Sequence, residues 1–126
     1  AEATKCAPTQ PLSLRHVHGT ADETVHYDGG TLGLLGPDLK YLSAPAAVAA
    51  FAKLNGCGDT PDTTAAPLDL DKDQAGAETT IARYPGCKNG VTTELLSMAG
   101  GKHFPVNLTS DIGREIWSWL EAHPRP

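Results

Sequence analysis

From Leu12 to Val17 apolar and polar positions alternate: Leu12, Leu14, His16 and His18 fall on one face of a two-residue repeat, Ser13 and Arg15 on the other. This reads as a short strand ending at Gly19, and its polar positions suit a place near a sheet edge better than a fully buried parallel strand. From Asp22 to Leu42 the pattern breaks. Gly29, Gly30, Gly33, Gly36 and Pro37 predict a long surface loop or a very short turn of helix. Ser43 can cap a helix with Pro45 in its first turn, where Val48, Phe51 and Leu54 recur at near-helical spacing and Asn55-Gly56 ends the run. Residues 58 to 76 hold Pro61, Pro67 and several aspartates with little periodicity, which predicts an exposed connection where Leu68 and Leu70 pack locally. Thr79 to Tyr84 and Val91 to Met98 read as two strands in a hairpin-like pair around a segment rich in turn formers. A last helix opens at Thr109, Ser110 and Asp111, carries Ile112, Ile116, Trp119 and Leu120 on one stripe with Trp117 beside it, and stops at Pro124.

Length and composition narrow the class. With 126 residues, 40% hydrophobic and 20% charged, the chain has room for one ordinary domain or part-domain. The net charge of −5 comes without a long run of like charges, so nothing suggests an electrostatic grip on nucleic acid or on an anionic membrane surface. No apolar stretch approaches the roughly 20 residues that span a bilayer. Ala1 to Lys5 lacks the apolar core of a signal peptide, so a secreted protein would have had its signal removed.

Three cysteines cannot all pair within one chain. Cys57 and Cys87 both lie at loop-like ends where two segments could meet in a bridge, which leaves Cys6 unpaired or linked to a partner. Two buried thiols are the alternative, since free cysteine is a common core residue. No C-x-x-C or H-x-x-x-H pair supports zinc, although His16, His18 and a cysteine could form a scattered metal set. Asp69, Asp71 and Asp73 lack the later glycine and glutamate of a calcium loop and read as a solvated loop. The sequon Asn107-Leu108-Thr109 would take a glycan only in a eukaryotic secretory pathway. No residue set implies a cofactor.

Two runs carry chemistry. Leu14 to Asp22, containing His18-Gly19-Thr20-Ala21-Asp22, and Gly100-Gly101-Lys102-His103-Phe104-Pro105 read as the acid and base of a serine hydrolase triad, Asp22 and His103. In the α/β-hydrolase arrangement the order is Ser, then Asp or Glu, then His, with the serine on a G-x-S-x-G turn. No G-x-S-x-G occurs in these residues. The expected fold is therefore α/β, with residues 1–126 a single part-domain forming the C-terminal portion of an α/β-hydrolase sheet. Two or three strands and two helices leave a sheet edge and much of one face uncovered, so a second chain or a further segment should fill the gap. Loop and turn roles are the bland alternatives for His103 and Asp22. His16, His18 and His26 read first as structural, and Trp117 and Trp119 as packing.

The same residues resemble a known group, the secreted esterases that include feruloyl esterases, acetyl xylan esterases and short-chain polyhydroxybutyrate depolymerases. The resemblance is to their C-terminal portion and covers nearly the whole chain. It is carried by His18-Gly19-Thr20-Ala21-Asp22, Val25-His26-Tyr27-Asp28-Gly29-Gly30, Asn55-Gly56-Cys57, Tyr84-Pro85-Gly86-Cys87 and His103, followed by the helix with Ile116-Trp117 and Leu120. It implies that Asp22 is the acid, His103 the base and Cys57–Cys87 a disulfide. It also implies a secreted or periplasmic carboxylic ester hydrolase acting on an ester of plant polysaccharide or a hydroxyalkanoate. Lys102 departs from the pattern, standing where a small residue is usual. The nucleophile would come from an N-terminal half or a second chain, and this chain alone would be inactive. A binding or structural module that keeps the scaffold without catalysis is the alternative.

Overall fold

The computed structural model describes residues 8–33 and 39–124. Cys6 lies outside them. In chain order the elements are β1 (Leu14–Gly19), β2 (Gly30–Leu32), β3 (Leu39–Tyr41), α1 (Ala44–Leu54), β4 (Thr79–Tyr84), β5 (Thr93–Met98) and α2 (Asp111–Ala122). They give a mixed α/β unit with one three-stranded sheet, ordered β1-β5-β4, and a small antiparallel pair, β2-β3. Strand β1 runs parallel to β5, with Leu14 opposite Thr93 and Gly19 opposite Met98; β4 runs antiparallel to β5. A parallel pair needs a crossover, and α1 lies within the one that links β1 to β5. Among the described residues β1 is an edge strand, as its polar face predicts.

Alternation along β5 divides the core between the two faces of the sheet. On one face Leu95 packs with Ala44 and Val48 of α1, flanked by Tyr27, Ala82 and Tyr84. On the other, Leu96 and Met98 pack with Ile81 and Leu70, flanked by Leu68, Leu108 and Ile112. Helix α1 starts where the sequence predicts, because the Ser43 hydroxyl accepts the Ala46 N–H at 3.2 Å and Pro45 needs no amide bond in the first turn. It ends at Asn55 and Gly56, the latter at φ 65°. Asn55 is fully buried and braces three segments, bonding the backbone of Leu12 through both amide atoms and the Thr93 hydroxyl at 2.8 Å.

Three expectations change. The stretch from Asp22 to Leu42 is not all loop, since β2 and β3 pair within it; at three residues each they are too short to show a period. Leu70 does not pack locally but sits in the main core at 2% exposure. Its segment is held by side chain and bridge contacts rather than by a regular ladder: Leu68 pairs with Thr79, and the Glu78 carboxylate accepts the amides of Leu70 and Asp71. Such contacts leave no periodic trace in the sequence. The stripe on α2 is only partly covered, with Ile112 against the core but Ile116, Trp117 and Leu120 exposed.

Arg15, Glu94 and Arg83 occupy matching positions on β1, β5 and β4. The Glu94 carboxylate is wholly buried and accepts Arg15 Nε at 2.6 Å on one oxygen and Arg83 Nε at 2.7 Å on the other. Arg15 also lies 5.2 Å over the Trp119 ring, tying the sheet to α2. Cys57 and Cys87 are joined in a disulfide that links the end of α1 to the turn before β5.

Removing one partner from a buried charge cluster costs more than forming it gains, because the remaining charges are stranded. Glu94→Gln should therefore lower unfolding free energy by about 3 kcal/mol in urea denaturation. Arg83→Ala should cost less than about 1 kcal/mol, since that side chain is 52% exposed and its charge is screened. Equal losses would show that the exposed Arg83, and not Arg15 alone, is needed to hold the buried carboxylate.

Candidate active site

The parallel register of β1 and β5 puts both of their C-terminal ends at one edge of the sheet. Asp22 follows β1 by three residues and His103 follows β5 by five, so the two loops leave side by side. Backbone bonds stitch them together. The Thr20 amide donates to the Met98 carbonyl at 2.9 Å, the Ala21 amide to the Gly101 carbonyl at 3.0 Å, and the Gly100 amide to the Thr20 hydroxyl at 2.9 Å. Gly19 lies against Gly101 so closely that a Cβ on it would run into the Gly101 carbonyl. Gly100 adopts φ 72°, the left-handed turn that sends the chain from β5 toward residue 103.

These constraints bring Asp22 Oδ2 to 2.9 Å from His103 Nδ1. The other carboxylate oxygen accepts the amides of Thr24 at 2.9 Å and Val25 at 2.8 Å, so the loop turns around its own aspartate. Asp22 is buried at 7% exposure. Burial pushes its carboxyl pKa up, but the hydrogen bonds from His103, Val25 and Thr24, with the charge of His103, hold it below the ordinary value. An ionised carboxylate only accepts, so in the neutral imidazole the His103 proton belongs on Nδ1 and Nε2 keeps a lone pair. Nε2 has no hydrogen-bond partner among the described residues. His103 lines a cleft of about 330 Å³ together with Asp22, His16, His18 and Lys102. A base with its acid behind it and an open nitrogen in front can take a proton from a hydroxyl and return it to a leaving group.

The structure gathers more residues here than the sequence does. His16 and His18 come to this end on β1, with His16 Nε2 at 3.2 Å from His18 Nδ1 and His18 Nε2 at 2.8 Å from the Val25 carbonyl. The same His18 nitrogen is 3.3 Å from Asp22 Oδ2, a link across four residues that strand periodicity does not announce. Burial, then the neighbouring His18, lowers the His16 pKa. Among the described residues no serine bonds His103. Among the described residues no cluster of three or more His, Cys, Asp or Glu could hold a metal, and no helix is long and apolar enough to cross a membrane. Trp117 is exposed, whereas Trp119 lies under Arg15 and stacks on His123 at 4.4 Å. Asp71 and Asp73 are engaged in their own loop, Asp71 accepting the Asp73 amide and Asp73 the Asn107 side chain.

Over 123 residues the chain is 29% identical to Feruloyl esterase B of Piromyces equi, in an alignment that covers 97% of this chain and 20% of that protein. The chain thus spans about one fifth of the relative's length and is distantly related to an esterase. No family model and no solved structure matches it.

The site sets an acid limit on stability. The Asp22 and Glu78 carboxyls lie below their ordinary values of 3.8 and 4.5; for Glu78, burial pushes the pKa up but hydrogen bonds, led by that of the Thr79 hydroxyl, outweigh it. Both contribute stability that is fully present above those values and is lost as pH falls through the lower folded ones. His16, lowered from 6.5, acts earlier: it must charge on unfolding in acid, so its contribution is complete above 6.5 and erodes below it. Urea midpoints should be level from pH 8 to 7, fall modestly by pH 5.5 and fall steeply below about pH 4. In Asp22→Asn the steep stage should shrink.

Proposed function

We propose that this chain supplies the acid and base of a serine-type carboxylic ester hydrolase, Asp22 and His103, within the C-terminal portion of an α/β-hydrolase domain. The nucleophilic serine lies on a segment or second chain outside these 126 residues. The observation that carries the reading is the 2.9 Å contact between Asp22 Oδ2 and His103 Nδ1 across 81 residues, with His103 lining a cleft and its Nε2 without a partner among the described residues. Its position beyond the carboxyl ends of adjacent parallel strands is where open α/β sheets bind their ligands. The esterase relative supports the reaction class.

In the proposed reaction His103 Nε2 takes the serine proton as Oγ attacks the ester carbonyl, then hands it to the departing alcohol. Water completes the cycle by the reverse path. Asp22 holds the Nδ1–H tautomer and stabilises the imidazolium. The substrate is an acyl ester of plant polysaccharide or a short hydroxyalkanoate ester. The protein works in the periplasm or outside the cell, where a disulfide such as Cys57–Cys87 persists. A non-catalytic binding module is the competing reading, favoured by the exposure of Phe104 and Val106 just beyond His103.

The chain alone should hydrolyse p-nitrophenyl acetate no faster than its His103→Ala variant, because acid and base without nucleophile or oxyanion donors supply little of the triad's effect. Joined to the coding segment upstream, it should turn over, and His103→Ala should then reduce kcat by roughly 10³-fold or more. Turnover by the isolated chain would contradict the division of the triad. An upstream segment without G-x-S-x-G, or turnover indifferent to His103, would favour the binding module.

A further inference from the structure

Asp22 Oδ2 faces two imidazoles. His103 Nδ1 lies 2.9 Å from it and His18 Nε2 lies 3.3 Å from it, the His18 side chain being 12% exposed. His18 Nε2 is also 2.8 Å from the Val25 carbonyl. A carbonyl and a carboxylate only accept, so this nitrogen carries a hydrogen and shares it between them. In the neutral ring His18 Nδ1 is then an acceptor, and it takes the Nε2–H of His16 at 3.2 Å. Donation therefore runs from His16 to His18 to Asp22, while His103 donates to the same carboxylate oxygen from the other side. The edge of Tyr27 packs on the His18 ring at 5.6 Å, and its hydroxyl is tied to Ser97 at 2.7 Å, which restricts the ring.

We propose that His18 is a positioning residue for the acid–base pair. Its Nε2–H holds the Asp22 carboxylate toward His103 and disperses the charge on Oδ2, setting the basicity of His103 below what an unshared aspartate would give. This rests on the acid–base reading of Asp22 and His103. Other ionisable groups also stand near: His16 and Tyr27 beside His18, and Lys102 and Glu23 lining clefts with His103. The variants below leave all four in place.

The test is an NMR titration of the His103 ring in the full chain, with its signals assigned by their loss in His103→Ala. His18→Phe keeps a flat ring but has no N–H to give; His18→Gln keeps an amide N–H close to the position of the imidazole Nε2. In His18→Phe the His103 midpoint should rise by roughly half a unit or more, because the full carboxylate charge now stabilises the imidazolium. His18→Gln should return it close to the starting value. Asp22→Asn should lower it by about one unit or more. A folded His18→Phe with an unmoved midpoint, beside the expected fall in Asp22→Asn, would overturn the role of His18 and leave the acid–base pair standing. An unmoved midpoint in Asp22→Asn would instead undo the pair itself. A measurement on the unaltered chain needs no variant to fold: ring nitrogen shifts should show neutral His18 protonated on Nε2, and protonation on Nδ1 would overturn the proposal.

Discussion

The parallel ladder between β1 and β5 is the contact on which the site depends. Antiparallel neighbours would send the loops after them to opposite ends of the sheet; a parallel pair sends both to one end, at the spacing of adjacent strands. Asp22 and His103 meet because Gly19 and Met98 are register partners. The core serves the same pairing from both sides, with α1 packed over Leu95 and the Leu70 cluster over Leu96. The two site residues need no contact with either helix to be held.

The rest of the charge and covalent chemistry works at a distance from that end. Glu94 is one step from the start of β5 and binds arginines from both neighbouring strands, so three strands are cross-linked near the end of the sheet remote from the site. Below it, Asn55 and the disulfide tie the close of α1 to the approach of β5. A fixed lower end and a stitched top leave the loops of Asp22 and His103 little freedom to separate. Burying Glu94 is costly on its own account, and its arginine partners, the buried Arg15 above all, offset that cost.

Much of this was legible in the sequence, and what escaped has a common cause. The strands at Leu14, Thr79 and Thr93 and both helices carry periodic patterns and local caps, which are properties of neighbours along the chain. The contact between Asp22 and His103 was legible through their flanking glycines and their order. Leu70, Asn55, Glu94 and the His18–Asp22 link were not. Leu70 is buried by bonds to Glu78, Asn55 looks like an ordinary helix stop, and Glu94 looks like a surface residue until strands on both sides supply arginines. Each depends on residues brought together only by the completed sheet. The exposed stripe on α2 is the converse case, where a clear pattern finds only part of its expected cover in the structure.

Gly19 extends this logic to heredity. It has no side chain to titrate or to bond, yet that missing side chain is what allows the loop of Asp22 to lie against the Gly101 backbone. Even alanine would meet a carbonyl oxygen there, and a backbone carbonyl cannot swing aside as a long side chain can. A lineage drifting by single substitutions could keep both Asp22 and His103 and still lose the contact between them by losing Gly19. Their letters would persist while their partnership was gone. In this architecture the residue that records whether the two side chains still meet is a glycine with no side chain of its own.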